Sequence, residues 1–255
     1  MKQNPSLQEL ISLQGRRVLI TGAASGIGRA VAHRMAEAGA EPELVDRNRE
    51  RLMATARELE AYGQRVEAHA VDLADRATIE ALWNRLQGRT PDTLINNAAL
   101  YPSRPFTEVD EAFYRRVMVV NLEGPIWMCR RMIQDRGAQG GVILNIASIE
   151  ALLPFKADLS VYSTSKAAVI ALTRALAREH ARHGFRINAL LPGWTRIPGA
   201  DQVARRGLLG LDWRVLRAGL EFHQRLPIGR PAPRTRSRAW CWSWRATWRR
   251  TCTGP

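Results

Sequence analysis

The stretch Arg17-Val18-Leu19-Ile20-Thr21-Gly22-Ala23-Ala24-Ser25-Gly26-Ile27-Gly28 decides the fold. Its first five residues are an apolar run of strand length. A helical period opens at Gly26, with Ile27, Ala30, Val31 and Met35 on its apolar face, and stops at Gly39. A glycine-rich loop between strand and helix suits a phosphate. Gly22 permits a tight turn, Gly26 lets the backbone approach a pyrophosphate, and Gly28 lets the helix pack closely. The helix start, reached through Ser25 and Ile27, offers unpaired N–H groups and the positive end of the dipole. The alternative is a plain strand-to-helix turn that happens to use glycine; three glycines in this context argue against it.

Further strands follow outward from this loop. Glu43-Leu44-Val45-Asp46 reads as strand two, with Pro42 confined to its start because an interior proline removes a ladder hydrogen bond. A charged helix over 48–62 ends at Gly63. Strands three to six are expected at 66–71, 93–96, 141–146 and 185–191, with long helices over 108–131 and 162–182. Strands alternating with helices over short links predict an α/β, doubly wound parallel sheet in a single domain. Asp46 closes strand two, 18 residues after Gly28, where an acid accepts hydrogen bonds from an adenosine ribose and repels a 2′-phosphate. That favours NAD over NADP, although the neighbouring Arg47 could pair with such a phosphate.

The 255 residues are 45% hydrophobic and 24% charged, which suits one globular domain with a sizeable core. No apolar run approaches the roughly 18–20 residues of a membrane span, and the N-terminus does not read as a signal peptide. Cys129, Cys241 and Cys252 have no metal-ligand spacing and are too few for a disulfide framework. His33, His69, His180, His183 and His223 form no ligand set, so no metal is expected, and Cys129 reads as a packing residue. These features predict a cytoplasmic protein with no membrane partner.

Together the motifs Thr21-Gly22…Gly26-Ile27-Gly28, Asp72, Asn96-Asn97-Ala98, Asn121, Ser148, Tyr162-x-x-x-Lys166 and Pro192-Gly193 resemble the classical short-chain dehydrogenase/reductase family, from about residue 14 to 232. The resemblance implies a Rossmann-like NAD(P)-binding domain over 1–232 with the catalytic site built in. It also implies a homotetramer or homodimer, which the C-terminus of this chain puts in doubt.

The residue types carry their own chemistry. Tyr162 and Lys166 are four apart, so on a helix they share a face. A phenol with a pKa of about 10 is a poor base at neutral pH, but an adjacent ammonium and an oxidised nicotinamide would stabilise the phenolate. Tyr162 then exchanges a proton with an alcohol or a carbonyl, and Ser148 hydrogen-bonds the reacting oxygen. The resemblance assigns Asn121 a water that relays protons to Lys166. It sets Asp72 and Leu73 beside the adenine, and Asn97 and Ala98 beside the ribose and nicotinamide half. Thr195, after Pro192-Gly193, binds the carboxamide; Tyr162 and Lys166 also contact the cofactor. This chain departs from the family pattern at Ala99 and at Ile197, which stands where a threonine is usual. The Ser148–Tyr162 spacing looks one residue longer than the commonest, so the loop carrying Lys156 and Asp158 must bulge.

The net charge of +14 is uneven: residues 222–255 hold eight Arg and no acid, and Trp240, Trp242, Trp244 and Trp248 crowd the last sixteen positions. Two readings of 233–255 compete. One is a basic, aromatic tail for a polyanion or membrane surface. The other is a reading-frame shift in GC-rich DNA, in keeping with 35 Arg against 3 Lys. Reading each codon from the third base of the one before admits Ala-Ser-Asp-Leu-Ala-Thr-Tyr-Val-His-Gly from Trp244 onward, which resembles the family's segment before its last strand. On that reading the last strand is missing or altered and no nucleic acid is bound. The function expected is an NAD(H)-dependent oxidoreductase interconverting a small-molecule secondary alcohol and ketone. A non-catalytic dinucleotide-binding or interaction protein with a polyanion-binding tail is the alternative. Apolar residues in 194–225 (Trp194, Leu208, Leu209, Trp213, Phe222) hint at a hydrophobic or ring-bearing substrate.

Overall fold

A computed structural model describes residues 6–193. After a short helix α1 (Leu7–Ile11) the elements alternate. They are β1 (Arg17–Thr21), α2 (Gly26–Glu37), β2 (Glu41–Asp46), α3 (Arg49–Leu59), β3 (Glu67–Ala70), α4 (Arg76–Arg85), β4 (Thr93–Asn96), α5 (Glu111–Met118), α6 (Gly124–Arg136), β5 (Gly141–Ile146), α7 (Ser160–His180) and β6 (Phe185–Leu190). All neighbouring strands pair parallel in the order β3-β2-β1-β4-β5-β6. The chain winds outward from β1 in one direction and from β4 in the other. The crevice at this reversal, beyond the strands' carboxyl ends, is where such sheets bind ligands.

Strand side chains alternate between two cores. Val18, Ile20, Leu44 and Ile95 pack with Val31 and Met35 of α2 and Leu52 and Leu59 of α3. Leu19, Val45, Leu94 and Ile143 pack on the other face with Trp83 of α4 and Met128 and Met132 of α6. Strands covered on both faces read as continuous apolar runs, which is why β1, β4 and β5 fall where the sequence places them.

Pro42 corrects the expectation for strand two. It is the second residue of β2, opposite Val18. The Glu41 N–H donates to the Arg16 carbonyl on the β1 side, so the next residue's nitrogen faces the other way. There β3 has not begun, since its pairing starts at Glu43; the missing N–H costs no ladder bond. The helix expected over 108–131 is interrupted by a π turn, Val119–Glu123, between α5 and α6. Trp194, Thr195, Ile197, the 194–225 segment and the 233–255 tail lie outside the described residues.

Candidate active site

The glycine loop is held from beneath by β4. The Thr21 hydroxyl accepts from the N–H groups of Asn97 and Ala98, both at 3.0 Å, while Asn97 Nδ2 donates to the Thr21 carbonyl at 3.0 Å. The Asn97 side chain is thus a brace for the loop. Gly22 turns at φ 69°, and a Cβ there would meet Asn97 Nδ2 at 2.8 Å and Ala98 Cα at 2.9 Å. A Cβ on Gly28 would run into the Gly22 carbonyl. Glycine is therefore required at Gly22 by conformation as well as by contact, and at Gly28 by contact alone.

Ser25 caps α2 from an extended conformation, is exposed, and its hydroxyl makes no cap bond. The first N–H groups of α2, Gly26 and half-buried Ile27 surround it. At the end of β2 the Asp46 carboxylate accepts from Ala24 N–H at 3.2 Å and Asn48 N–H at 2.9 Å, which fixes it beside the loop; Arg47 next to it is exposed. Asp72 is exposed at the end of the segment following β3, while Leu73 is buried with its Cβ against α6 near Gly124. A compact backbone cradle, an open helix N-terminus and a strand-end carboxylate fit an NAD(P) nucleotide.

Ser148, Tyr162 and Lys166 gather past β5 and on α7. Ser148 follows β5 and is almost fully buried, its Oγ accepting from Glu150 N–H at 3.2 Å. Its turn is tied to the end of β6, since Ile149 N–H donates to the Pro192 carbonyl at 3.2 Å. That bond brings Pro192-Gly193 alongside Ser148. Tyr162 and Lys166 are both buried on the inner face of α7. Lys166 Nζ donates to the Ile146 carbonyl at 2.7 Å and lies 6.0 Å from the Tyr162 ring centre. Burial pulls the Lys166 ammonium down to about 8. Burial pushes the Tyr162 phenol up, a hydrogen bond with Ser148 opposes this, and the charge of Glu150 adds to the rise. The expected lowering of the Tyr162 pKa by Lys166 is therefore not a property of the protein groups alone.

Asn121 sits fully buried inside the π turn. It clamps the loop after β4, accepting from Leu100 N–H at 2.7 Å and donating to the Leu100 carbonyl at 2.9 Å. It also donates to Ser165 Oγ at 3.1 Å, and Ser165 donates to the Tyr162 carbonyl at 2.6 Å. The widened turn aims Asn121 at both the Tyr101 loop and α7. The loop from Ser148 to Tyr162 does bulge: Asp158, at φ 65°, is the only non-glycine with positive φ among the described residues. Its carbonyl accepts from Arg104 N–H at 2.8 Å.

Two residues of this site escaped the sequence reading. Tyr101, 55% exposed, packs edge-on against Tyr162 with ring centres 4.7 Å apart. Glu150 is buried two positions after Ser148 and accepts from Phe155 N–H at 3.0 Å. Proximity to Asn96-Asn97-Ala98 and to Ser148 was the available signal for each. Elsewhere, Cys129 is a buried packing residue whose thiol burial pushes up to about 12. Glu43, Glu67 and His69 stand close enough to share a metal, but Arg17 and Arg89 lie beside the Glu43 carboxylate, and Arg89 and Arg65 pair with Glu67. Their charge is already matched by cations.

Known proteins resemble this chain in sequence and in fold. The profile of the family described as short chain dehydrogenase matches residues 16–206. The chain is 35% identical over 205 residues to 3beta-hydroxysteroid dehydrogenase 2 of Eggerthella lenta, covering 77% of this chain and 78% of that one. It is 39% identical over 185 residues to the sorbitol dehydrogenase of Cereibacter sphaeroides, covering 71% of each. The crystal structure of L-sorbose reductase from Gluconobacter frateurii, complexed with NADPH and L-sorbose, superposes with a TM-score of 0.82 at 28% identity over 93% of both chains. The chain belongs to the short-chain dehydrogenase family. It is an oxidoreductase of CH–OH groups built on an NAD(P)-binding Rossmann fold.

Proposed function

We propose that the protein interconverts a small-molecule secondary alcohol and its ketone with NAD(H), and that Tyr162 is the general acid and base. The observation that carries this reading is the joint burial of Ser148, Tyr162 and Lys166, with Lys166 one helical turn along α7 and its Nζ 6.0 Å from the Tyr162 ring centre. When bound, the nicotinamide supplies the hydride acceptor or donor. Ser148 Oγ hydrogen-bonds the substrate oxygen, and Tyr162 Oη takes its proton in oxidation or returns it in reduction. Lys166, anchored on Ile146, supplies positive charge that favours the phenolate. Asn121 holds the floor of the site, where a proton-relay water would sit. Gly22, Ser25, Gly26, Ile27 and Gly28 would hold the pyrophosphate. Asp46 would hold the adenosine ribose, with Asp72, Leu73, Asn97, Ala98, Pro192, Gly193 and Thr195 around the remainder.

The experiment is oxidation of NADH with a panel of ketones. Tyr162→Phe lowers kcat by about 10²–10⁴-fold; a variant with wild-type rates removes Tyr162 from the reaction. The fixed Asp46 carboxylate supports NAD as the preferred cofactor, expected as a kcat/KM at least about tenfold above that with NADP, with the ratio narrowed in Asp46→Asn. The buried free thiol of Cys129 suits a reducing, cytoplasmic setting. We further infer from composition that the domain runs through residue 232 and that 233–255 is read out of frame. Resequencing codons 225–255 tests this: an inserted or missing base supports it, and an intact frame overturns it.

A further inference from the structure

Exposed large apolar side chains are unevenly placed among the described residues. Met53, Tyr62, Phe106 and Tyr114 stand singly on helical elements, whereas Tyr101, Leu152 and Leu153 belong to the loops that follow β4 and β5 and are 55%, 63% and 59% exposed. The loops are joined by the bond from Arg104 N–H to the Asp158 carbonyl. The first holds the Tyr101 ring against Tyr162. In the second, the N–H groups of Leu152 and Leu153 both donate to the carbonyl of Ile149, at 2.9 Å each, which sets the two leucines directly after Ser148. The Tyr101 ring thus lies on Tyr162, and the two exposed leucines are held on the turn that leaves Ser148.

Two polar side chains of these loops, Arg104 and Glu150, are engaged elsewhere, while Thr107 and Glu108 are exposed. Arg104 pairs with Asp110 at 2.6 Å and lies over the Phe113 ring at 4.5 Å. The Glu150 carboxylate is buried on Phe155 N–H. Ser103 is exposed, and Lys156 lies 5.9 Å from the Tyr101 ring. A polyol brings four or more hydroxyls that each need a partner once water is displaced. A flat apolar ring needs none, and contacts with Tyr101 and the leucines replace its hydration.

We propose that this rim selects a ring-bearing, apolar secondary alcohol or ketone over a polyol, so that among the relatives' substrates the steroid type is the better guide. The proposal rests on the Tyr162 reading. Its test uses the full chain, NAD and NADP, and two alcohols as probes, 1-tetralol and D-sorbitol. Saturation-transfer NMR with 1-tetralone reports binding independently of turnover. The expected result is a kcat/KM at least about 100-fold higher for 1-tetralol. The 1-tetralol to sorbitol ratio falls at least about tenfold in Tyr101→Ala and in Leu152→Ser/Leu153→Ser, mainly through KM. Circular dichroism confirms that the variants fold. Sorbitol oxidised within tenfold of 1-tetralol, or an unchanged ratio in the variants, overturns the proposal and leaves the oxidoreductase reading intact. Saturation transfer abolished by the leucine substitutions without oxidation of either alcohol supports the rim and overturns the Tyr162 chemistry. Absence of both oxidation and saturation transfer overturns the rim as well.

Discussion

Around β1 and β2 the loops are held by backbone groups and by side chains that are missing, whereas around β4 to β6 they are held by polar side chains buried in the core. On the nucleotide side, Gly22 and Gly28 bring main chain against main chain, and Asp46 and Thr21 bind backbone N–H groups. On the chemical side, Asn145 Nδ2 donates to Thr173 Oγ1 at 2.9 Å, and its Oδ1 accepts from Asn96 at 2.9 Å. Asn121, Ser165 and Lys166 extend this polar interior toward the hydroxyls. The difference suits the function proposed above. A pyrophosphate is bound by closely approaching N–H groups, so bulk must be absent. A proton exchange needs two hydroxyls fixed within a fraction of an ångström, so rotamers must be locked by partners.

The comparison breaks most readily at Gly28. In Gly28→Ala the new methyl meets the Gly22 carbonyl, and unfolding in urea should show a loss of about 2–4 kcal/mol, accompanied by loss of NADH binding. Retained stability and binding would mean that the cradle is looser than described. On the other half, Asn145→Leu leaves Asn96 and Thr173 without their shared partner inside the core. The expected cost is about 1–3 kcal/mol by urea denaturation, with NADH binding kept. An effect on binding larger than on stability would show that the two halves are not independent.

A pH profile sharpens the contrast with the smallest perturbation. Burial raises the Tyr162 pKa, so around neutrality the residue is a phenol, ready to donate a proton but not to accept one. Oxidation should therefore rise with pH, up to about tenfold per unit on the acid limb. Reduction should stay flat there and fall only at higher pH. Above about 8 Lys166 loses its charge, and its support for the phenolate fades in the same range. In Lys166→Met the rise in oxidation should move to higher pH. An unshifted profile would separate Lys166 from the titration of Tyr162.

The same division explains what the sequence made legible. Absent side chains are visible as glycines, and a buried parallel strand is visible as an apolar run, so β1, β4, β5 and the loop before α2 were read at the residue level. The sheet's ragged edge was not visible, and Pro42 went deeper into β2 than expected because β3 starts late. Helix α4 was not assigned, although Asp75 caps it and Ile79, Leu82 and Trp83 repeat at helical spacing. The roles of Asn96, Asn145 and Thr173 had no local signature, since the same residue types are commonest on surfaces. Ser148, Tyr162 and Lys166 stand out by their order along the chain, and the fold buries all three near one another. Tyr101 had no such marker, because its neighbour Tyr162 lies across a loop contact.

The left-handed turn at Asp158 has a consequence for how this enzyme could be redesigned. The connection from Ser148 to Tyr162 accommodates its length in one residue while both ends stay anchored, by Pro192 at one and by α7 at the other. On the reading proposed for Tyr162, changes of loop length there fall beside the substrate and spare the reacting groups. Libraries that insert or delete residues between Leu152 and Asp158 are thus a route to new specificities from an unchanged catalytic frame.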